Sequence, residues 1–196
     1  MADPRARRSP LAGWAPQLQA LNGAIRAQEL PFLTQLNLRL DSGGPAADPV
    51  AKVLGVSLPT VPCTSVGSGV YEVLWLGPDE WLILAPAGSA PELMIALREA
   101  IGSEHAAVTD VSAQRTTVQL SGPGARELLA KGCAIDLHPA ASPEGSCVQT
   151  LLAQTGIIIV VRDGTATDFL LLVRSSFAEY FAAWLVDASV ELTEPA

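Results

Sequence analysis

The sequence predicts an α+β fold of two halves, each combining antiparallel strands with helices that cover one face. Segments with the alternating period of a strand occur together with short helical stretches. The connections between successive strands are short, which favours antiparallel pairing. With 196 residues, 49% of them hydrophobic, the chain can bury a core in one domain or in two merged halves.

The first half, residues 31–105, is predicted to contain a strand, a hairpin and a helix, and residues 1–30 an N-terminal arm and a first helix. Leucines alternate with polar residues in TQLNLRL at 34–40, which predicts a strand with one buried face. VYEVLWL and WLILA flank a turn and predict the hairpin. The helix APELMIALREAIG would bury four apolar residues, Leu93, Ile95, Leu97 and Ile101.

The second half, residues 106–190, begins with a strand and a short helix and is followed by a tail at 191–196. RTTVQLSG at 115–122 has the composition of a strand. Pro123 is expected at the first helical position of GARELLAK, and Gly132 at its end.

Three further strands and a helix complete the second half. The strands are SCVQTLLA at 146–153, GIIIVVR at 156–162 and DFLLLVR at 168–174. The final helix, SSFAEYFAAWLVDA, is predicted to take Ser175 or Ser176 as its N-cap. Its predicted core-facing stripe is Phe177, Tyr180, Phe181, Trp184 and Leu185.

Charge argues against nucleic acid and membrane partners. The formal net charge is -8 and the pI about 4.7, whereas a phosphate-binding surface needs clustered lysine and arginine. The longest apolar run, GIIIVV at 156–161, is far shorter than the roughly 20 residues that span a bilayer. Arg5, Arg7 and Arg8 are interpreted as part of an exposed arm, with Trp14, that becomes ordered on a partner. We expect a cytoplasmic protein.

Cysteine usage also favours a reducing compartment. Cys63, Cys133 and Cys147 are odd in number and form no CxxC pair. A zinc site from Cys133, His138 and Cys147 would have a spacing that matches no closed four-ligand pattern. These cysteines are therefore interpreted as buried or half-buried thiols, and no metal ligand is assigned.

Catalytic motifs are incomplete. In SGPGARE, Gly122 and Gly124 start a GxGxxG pattern, but Glu127 replaces the third glycine, so the segment is interpreted as a helix start. VGSGV does not have the GxSxG spacing of a nucleophile elbow. His105 and His138 both lie in segments expected to be loops. The sequence therefore assigns no catalytic or cofactor-binding residue.

The turn GPDE carries two adjacent acids, Asp79 and Glu80, which raises the question of an acid–base pair. Neighbouring residues of a tight turn are expected to point their side chains apart, and Gly77 and Pro78 are ordinary turn residues. The acids are therefore interpreted as the tip of a hairpin. The functional alternative is that the tip and Trp81 form a contact surface.

Several strings, in a fixed order, carry a family resemblance. GPDEW, DVSAQR, LSGP and LAKGCAIDLHP, together with the strands and helix that follow, resemble the gamma-subunit family of heterotetrameric sarcosine oxidases. The same order is similar to the folate-binding domain of the glycine-cleavage aminomethyltransferase. That resemblance implies duplicated, interlocked halves of antiparallel sheet and helix.

The resemblance also implies a function. It implies a non-catalytic accessory subunit that supports oxidative demethylation of sarcosine to glycine by alpha and beta subunits, in a complex that also has a delta subunit. FAD, FMN, NAD and tetrahydrofolate would be bound by other subunits and none by this chain.

One departure from the wider superfamily concerns its catalytic acid. The aminomethyltransferases have an aspartate just after a Gly-Ile turn, where this chain has Ile158, Ile159 and Val160, with Asp163 in the next turn. Aliphatic side chains neither transfer a proton nor bind an amine. We therefore expect a buried strand here. The alternatives are a stand-alone folate-dependent one-carbon transfer protein and a free-standing regulatory binding module.

Overall fold

The computed structural model describes residues 7–21 and 23–192. Its strands, in chain order, are β1 Arg26–Leu30, β2 Thr34–Arg39, β3 Ser65–Gly67, β4 Glu72–Gly77, β5 Glu80–Ala85, β6 Ala107–Asp110, β7 Arg115–Ser121, β8 Cys147–Leu152, β9 Thr155–Val161 and β10 Asp168–Arg174. Its α-helices are α1 Ala15–Gln19, α2 Ala47–Leu54, α3 Ala90–Ile101, α4 Ala125–Ala130 and α5 Ala178–Ser189. None of the described helices is both long and apolar enough to cross a membrane.

The strands form two five-stranded sheets. One has the order β1-β7-β10-β9-β8 and the other the order β3-β4-β5-β2-β6. The neighbouring strands pair antiparallel, for example β2 with β5 and β10 with β7. The predicted α+β fold with antiparallel sheets is confirmed.

The chain divides into two compact units that do not follow the order of the sequence. The first unit takes the described parts of residues 1–31, 114–144 and 150–196, and the second takes 32–113 and 145–149. Strand β8 is divided between them after Gln149. Both units therefore draw on separate segments, whereas the halves predicted from the sequence, 31–105 and 106–190, are continuous.

The core of the first unit contains a row of residues in register across three strands. Val118 of β7 pairs with Leu171 of β10, which pairs with Ile159 of β9, and all three side chains are fully buried. Helix α5 contributes Phe181 and Leu185 to the buried set. The predicted buried strand at Ile158, Ile159 and Val160 is confirmed, since all are at most 3% exposed.

The core of the second unit surrounds Trp81, whose side chain is fully buried. The indole nitrogen Nε1 of Trp81 donates a hydrogen bond to the carbonyl oxygen of Pro59 at 2.8 Å. A buried indole N–H needs such a partner. The alternative in which Trp81 forms a contact surface is therefore wrong.

Three predicted core positions in the helices are exposed. Ile95 of α3 is 58% exposed, Phe177 is 43% exposed and Tyr180 of α5 is 39% exposed. The buried face of α3 consists of Ala90, Leu93, Leu97 and Ile101. A helix needs only one apolar stripe, so further apolar residues in the same helix are free to lie on its outer face.

Two predicted helix starts are also corrected. Ser175 and Ser176 do not cap α5, because Ser175–Phe177 form a 3₁₀ turn and Phe177 holds the N-cap position. Pro123 lies before α4, whose N-cap is Gly124. Proline fits this place because it cannot donate a backbone hydrogen bond.

Candidate functional site

The two acids of the β4–β5 hairpin converge on one arginine. Nη2 of Arg39 lies 2.8 Å from Oδ2 of Asp79, and Nη1 of Arg39 lies 3.7 Å from Oε2 of Glu80. Asn37 donates a hydrogen bond from Nδ2 to Oε1 of Glu80 at 2.7 Å. The predicted divergence of the two side chains is therefore wrong, because β2 pairs with β5 and presents Arg39 opposite Glu80.

This ion pair fixes the charge state of the hairpin tip. The hydrogen bond from Arg39 holds the pKa of Asp79 below its usual range, and the same bond raises the pKa of Arg39. Both side chains are more than half exposed, so solvent screens the pair and its effect on stability is small. An ionised, arginine-bound carboxylate is a poor proton donor, which supports a structural role for Asp79.

Asp163 also has a structural role, in the turn between β9 and β10. Its carboxylate accepts hydrogen bonds from the hydroxyls of Thr165 and Thr167 and from the backbone amides of Thr167 and Asp168. Partial burial acts to raise the pKa of Asp163, but these hydrogen bonds outweigh it and lower the pKa. The carboxylate is held ionised inside its own turn.

The glycines before α4 are required by close backbone packing. Gly122 has a left-handed φ of 118°, and a Cβ there would come 2.3 Å from the carbonyl oxygen of Ala24. The amide of Gly122 donates to the carbonyl of Thr167, and the amide of Gly124 donates to the carbonyl of Ala24. Both amides already donate to backbone carbonyls and are not available to bind a phosphate. The loop therefore does not fit the phosphates of a dinucleotide.

The residues considered for zinc make local contacts instead. Cys133 is buried, and His138 is exposed and accepts a hydrogen bond at Nδ1 from the amide of Ala140. Cys147 is buried, and Cys63 is exposed. In the described ranges 7–21 and 23–192, no three or more His, Cys, Asp or Glu side chains form a group suited to a metal ion.

An open cavity of about 430 Å³ lies beside α1, β1 and β7. Its polar lining residues are Gln19, Arg26, Gln28, Gln119 and Ser121. Gln119 donates from Nε2 to both carboxylate oxygens of Asp168 at 3.0 Å. The described residues that line the cavity include no histidine, cysteine or carboxylate, so they offer no acid–base or nucleophilic pair.

Part of the predicted N-terminal arm is packed within the first unit. Ser9 donates a hydrogen bond to Oε2 of Glu29 at 2.6 Å, and Leu11 is fully buried. Arg7 and Arg8 are exposed, and Arg5 lies outside the described residues. The interpretation as an exposed arm is therefore wrong for residues 9–11, which are half-buried or buried.

Comparison with known proteins gives the family. The model of the sarcosine oxidase, gamma subunit family matches residues 39–191. The chain belongs to this family. The sarcosine oxidase subunit gamma of Corynebacterium sp. (strain P-1) is 37% identical over 195 residues, covering 96% of this chain and 93% of that protein. The subunit gamma of Arthrobacter sp. is also 37% identical, over 194 residues, with the same coverage.

A solved structure agrees with the family assignment. A chain of the heterotetrameric sarcosine oxidase from Corynebacterium sp. U-96 superposes with a TM-score of 0.88 at 35% identity, covering 97% of this chain and 98% of that one. The glycine cleavage aminomethyltransferase T from Bartonella henselae superposes with a TM-score of 0.58 at 14% identity, over 88% of this chain and 48% of that one. The latter likeness shows the fold alone. A stand-alone one-carbon transfer protein is not favoured.

Three exposed or partly exposed apolar side chains lie on α5 and β8 of this gamma-subunit family member. We define the α5 surface as Leu151, Tyr180 and Trp184. Tyr180 and Trp184 lie one helical turn apart and share a face of α5, and the hydroxyl oxygen of Tyr180 accepts a hydrogen bond from the amide of Gln154 at 3.3 Å. Leu151, which precedes Gln154 in the chain, lies on edge strand β8 and is 61% exposed. Tyrosine and tryptophan are enriched where proteins meet.

Proposed function

We propose that this chain is a non-catalytic accessory subunit of a heterotetrameric sarcosine oxidase. Its partners would be alpha, beta and delta subunits, of which alpha and beta carry out the oxidative demethylation of sarcosine to glycine. The observation that carries the proposal is the near-complete mutual coverage, 97% and 98%, between this chain and one chain of the corynebacterial complex.

The chemistry of the described residues supports a role without catalysis. Strand β9 has buried aliphatic side chains at the positions where the resemblance to the aminomethyltransferases implies a catalytic acid. Asp163, the carboxylate that follows, is held by its own turn, and Asp79 is held by Arg39.

The proposal assigns FAD, FMN, NAD and tetrahydrofolate to other subunits. For the dinucleotides the loop before α4 supports this, because the amides of Gly122 and Gly124 already donate to the carbonyls of Thr167 and Ala24. A cytoplasmic location belongs to the same proposal and is supported by the odd number and wide spacing of the three cysteines.

The α5 surface is the proposed contact with a partner subunit. The exposed Leu151 and the partly exposed Tyr180 and Trp184 have apolar area that water solvates poorly, and burying it stabilises an assembly. Tyr180 suits such a contact because its ring is partly apolar and its hydroxyl is already paired with Gln154.

The test is co-expression of the full chain with the other oxidase subunits, followed by affinity purification through this chain. We expect the alpha, beta and delta subunits to be recovered together with sarcosine oxidase activity, and the chain alone to bind no flavin and oxidise no sarcosine. A yellow, active preparation of the chain alone would contradict the proposal.

A paired variant tests the contact. Leu151→Asp with Tyr180→Asp should reduce recovery of the other subunits at least tenfold, since carboxylates in a buried contact are strongly unfavourable. The matched control is Ile95→Asp, at an equally apolar position that is 58% exposed on α3. Loss of assembly in the control and not in the paired variant would show that another surface makes the contact.

A further inference from the structure

Cys63 and Cys147 lie opposite each other in a short antiparallel pairing of the second unit. Thr64 and Ser146 form an antiparallel bridge. On one side of it the amide of Ser65 donates to the carbonyl of Gly145 at 2.7 Å, and on the other the amide of Cys147 donates to the carbonyl of Cys63 at 2.8 Å. In this register Cys63 is the direct partner of Cys147.

That register brings the two residues within reach of a disulfide. Directly opposed residues in a hydrogen-bonded antiparallel pair have Cα atoms about 5.5 Å apart when both are extended. Cys63 lies in a turn, and the 2.8 Å bond from the amide of Cys147 to its carbonyl keeps the two backbones at the spacing of such a pair. Disulfides most often join Cα atoms about 5.5–6 Å apart. Each thiol is free in this structure.

The two thiols have different environments. Cys63 is exposed and has a left-handed φ of 59°, a conformation that non-glycine residues adopt rarely and often at functional positions. Cys147 is 1% exposed, and its Sγ lies 3.9 Å from the carbonyl oxygen of Trp75. Burial, together with the nearby Glu72 and Cys63, raises the pKa of Cys147 to about 12.

We propose that Cys63 is a peroxide-reactive site and that it forms an intrachain disulfide with Cys147. The sulfur of Cys63 attacks one oxygen of hydrogen peroxide, the O–O bond breaks, and water and a sulfenic acid result. The sulfur of Cys147 then attacks the sulfur of Cys63, the S–O bond breaks, and a second water leaves. In sum, two thiols and one hydrogen peroxide give one disulfide and two waters.

The environments fix the order of these steps. Thiolates and not thiols react with peroxide, so the buried Cys147 is protected and the exposed Cys63 reacts first. Because Cys147 must lose a proton to attack, the second step should become faster as the pH rises.

The supply of hydrogen peroxide is the part of this inference that rests on the proposed function. An oxidase that passes two electrons to dioxygen releases peroxide beside its own subunits. The reactivity of the thiols does not depend on that source. Peroxide added to the purified chain therefore tests the inference even where assembly fails.

The experiment treats the purified full chain with an equivalent of hydrogen peroxide and maps its peptides by mass spectrometry without reduction. We expect two of the three thiols to disappear and a Cys63–Cys147 cross-linked peptide to appear, reversed by dithiothreitol. Persistence of all three thiols, or Cys63 oxidised to sulfinic acid without a cross-link, would overturn the inference.

Single variants assign the roles. Cys63→Ser should abolish the cross-link, and Cys147→Ala should leave a sulfenic acid at Cys63 that dimedone labels. Cys133→Ala is the matched control, since Cys133 belongs to the other compact unit, and it should form the cross-link as the native chain does. A cross-link that required Cys133 would contradict the assignment, and the mapping of the native chain stands even where a variant fails to fold.

Discussion

Gly132 lies against the indole ring of Trp184, so closely that a Cβ at position 132 would come 2.5 Å from Cζ2 of the ring. The backbone of Gly132 has little freedom to move away, because its carbonyl accepts a hydrogen bond from the amide of Ala153 at 2.8 Å. Because position 132 has no side chain, the indole ring of Trp184 can lie directly against its backbone.

Replacing that glycine should disturb the packing of Trp184. We expect Gly132→Ala to lower the free energy of unfolding by about 1–3 kcal/mol, the usual cost of forcing an extra methyl into a packed site. Urea unfolding measures this. Gly156→Ala is the control, because a Cβ there meets nothing within 4 Å, and an equal loss in both variants would contradict the explanation.

Ile159→Asp should destabilise the chain by several kcal/mol, because an unpaired carboxylate in an apolar core is either desolvated or forced to take up a proton. Ile159 is fully buried opposite Leu171. The urea midpoint should fall both with and without tetrahydrofolate. Gln154→Asp, at an exposed position in the same hairpin, should have little effect.

A midpoint unchanged by Ile159→Asp, or one that tetrahydrofolate raises, would mean that the strand lines a polar folate pocket. The conservative Ile159→Val variant should cost only about 1 kcal/mol, which separates the effect of charge from the effect of lost volume.

Asp163→Asn should make the free energy of unfolding depend less on pH in the acidic range. The pKa of Asp163 is lowered in the folded state, so its carboxylate contributes stability that is fully present above about pH 4 and is lost as the pH falls further. The native chain should therefore exceed the variant in urea midpoint at neutral pH, and the difference should shrink below about pH 4.

The exposed Glu104→Gln is the control for the same titration. A difference between native chain and Asp163→Asn that stays constant through the acidic range would show that the turn does not depend on the charge of Asp163.

Truncation at the N-terminus should separate the basic residues from the packed ones. Deleting residues 1–12 should lower the melting temperature more than deleting residues 1–8, because only the longer deletion removes the buried Leu11. Loss of a buried leucine side chain costs about 2–5 kcal/mol. Leu11→Ala should reproduce most of the drop, and equal melting temperatures for the two truncations would contradict it.

The sequence predicted the elements whose patterns are local. The alternation in TQLNLRL and the apolar runs around GPDE identified β2, β4 and β5, since the period of two is a property of consecutive residues. Helix α2 is not predicted by the sequence, because Gly44, Pro45 and Pro49 are typical of a turn. Pro49 is tolerated because it lies in the first turn of α2, where its missing amide has no helical partner to lose.

The contacts that define the candidate sites were beyond prediction from local pattern. The pairing of Arg39 with Asp79 and the opposition of Cys63 and Cys147 depend on strand register between distant segments. The exposure of Ile95 and Tyr180 depends on which of two apolar stripes a helix buries, and periodicity alone does not decide that.

The division of the chain into non-contiguous units has a consequence for the order in which it folds during synthesis. The second unit includes residues 32–113 but also needs 145–149, and the first unit needs both its N-terminal segment and residues beyond 150. Strand β1 in particular has to wait for β7, whose residues emerge from the ribosome far later. Such non-local pairing slows folding and exposes unpaired edges for longer, so the nascent chain is expected to depend on chaperones until its last helix is made.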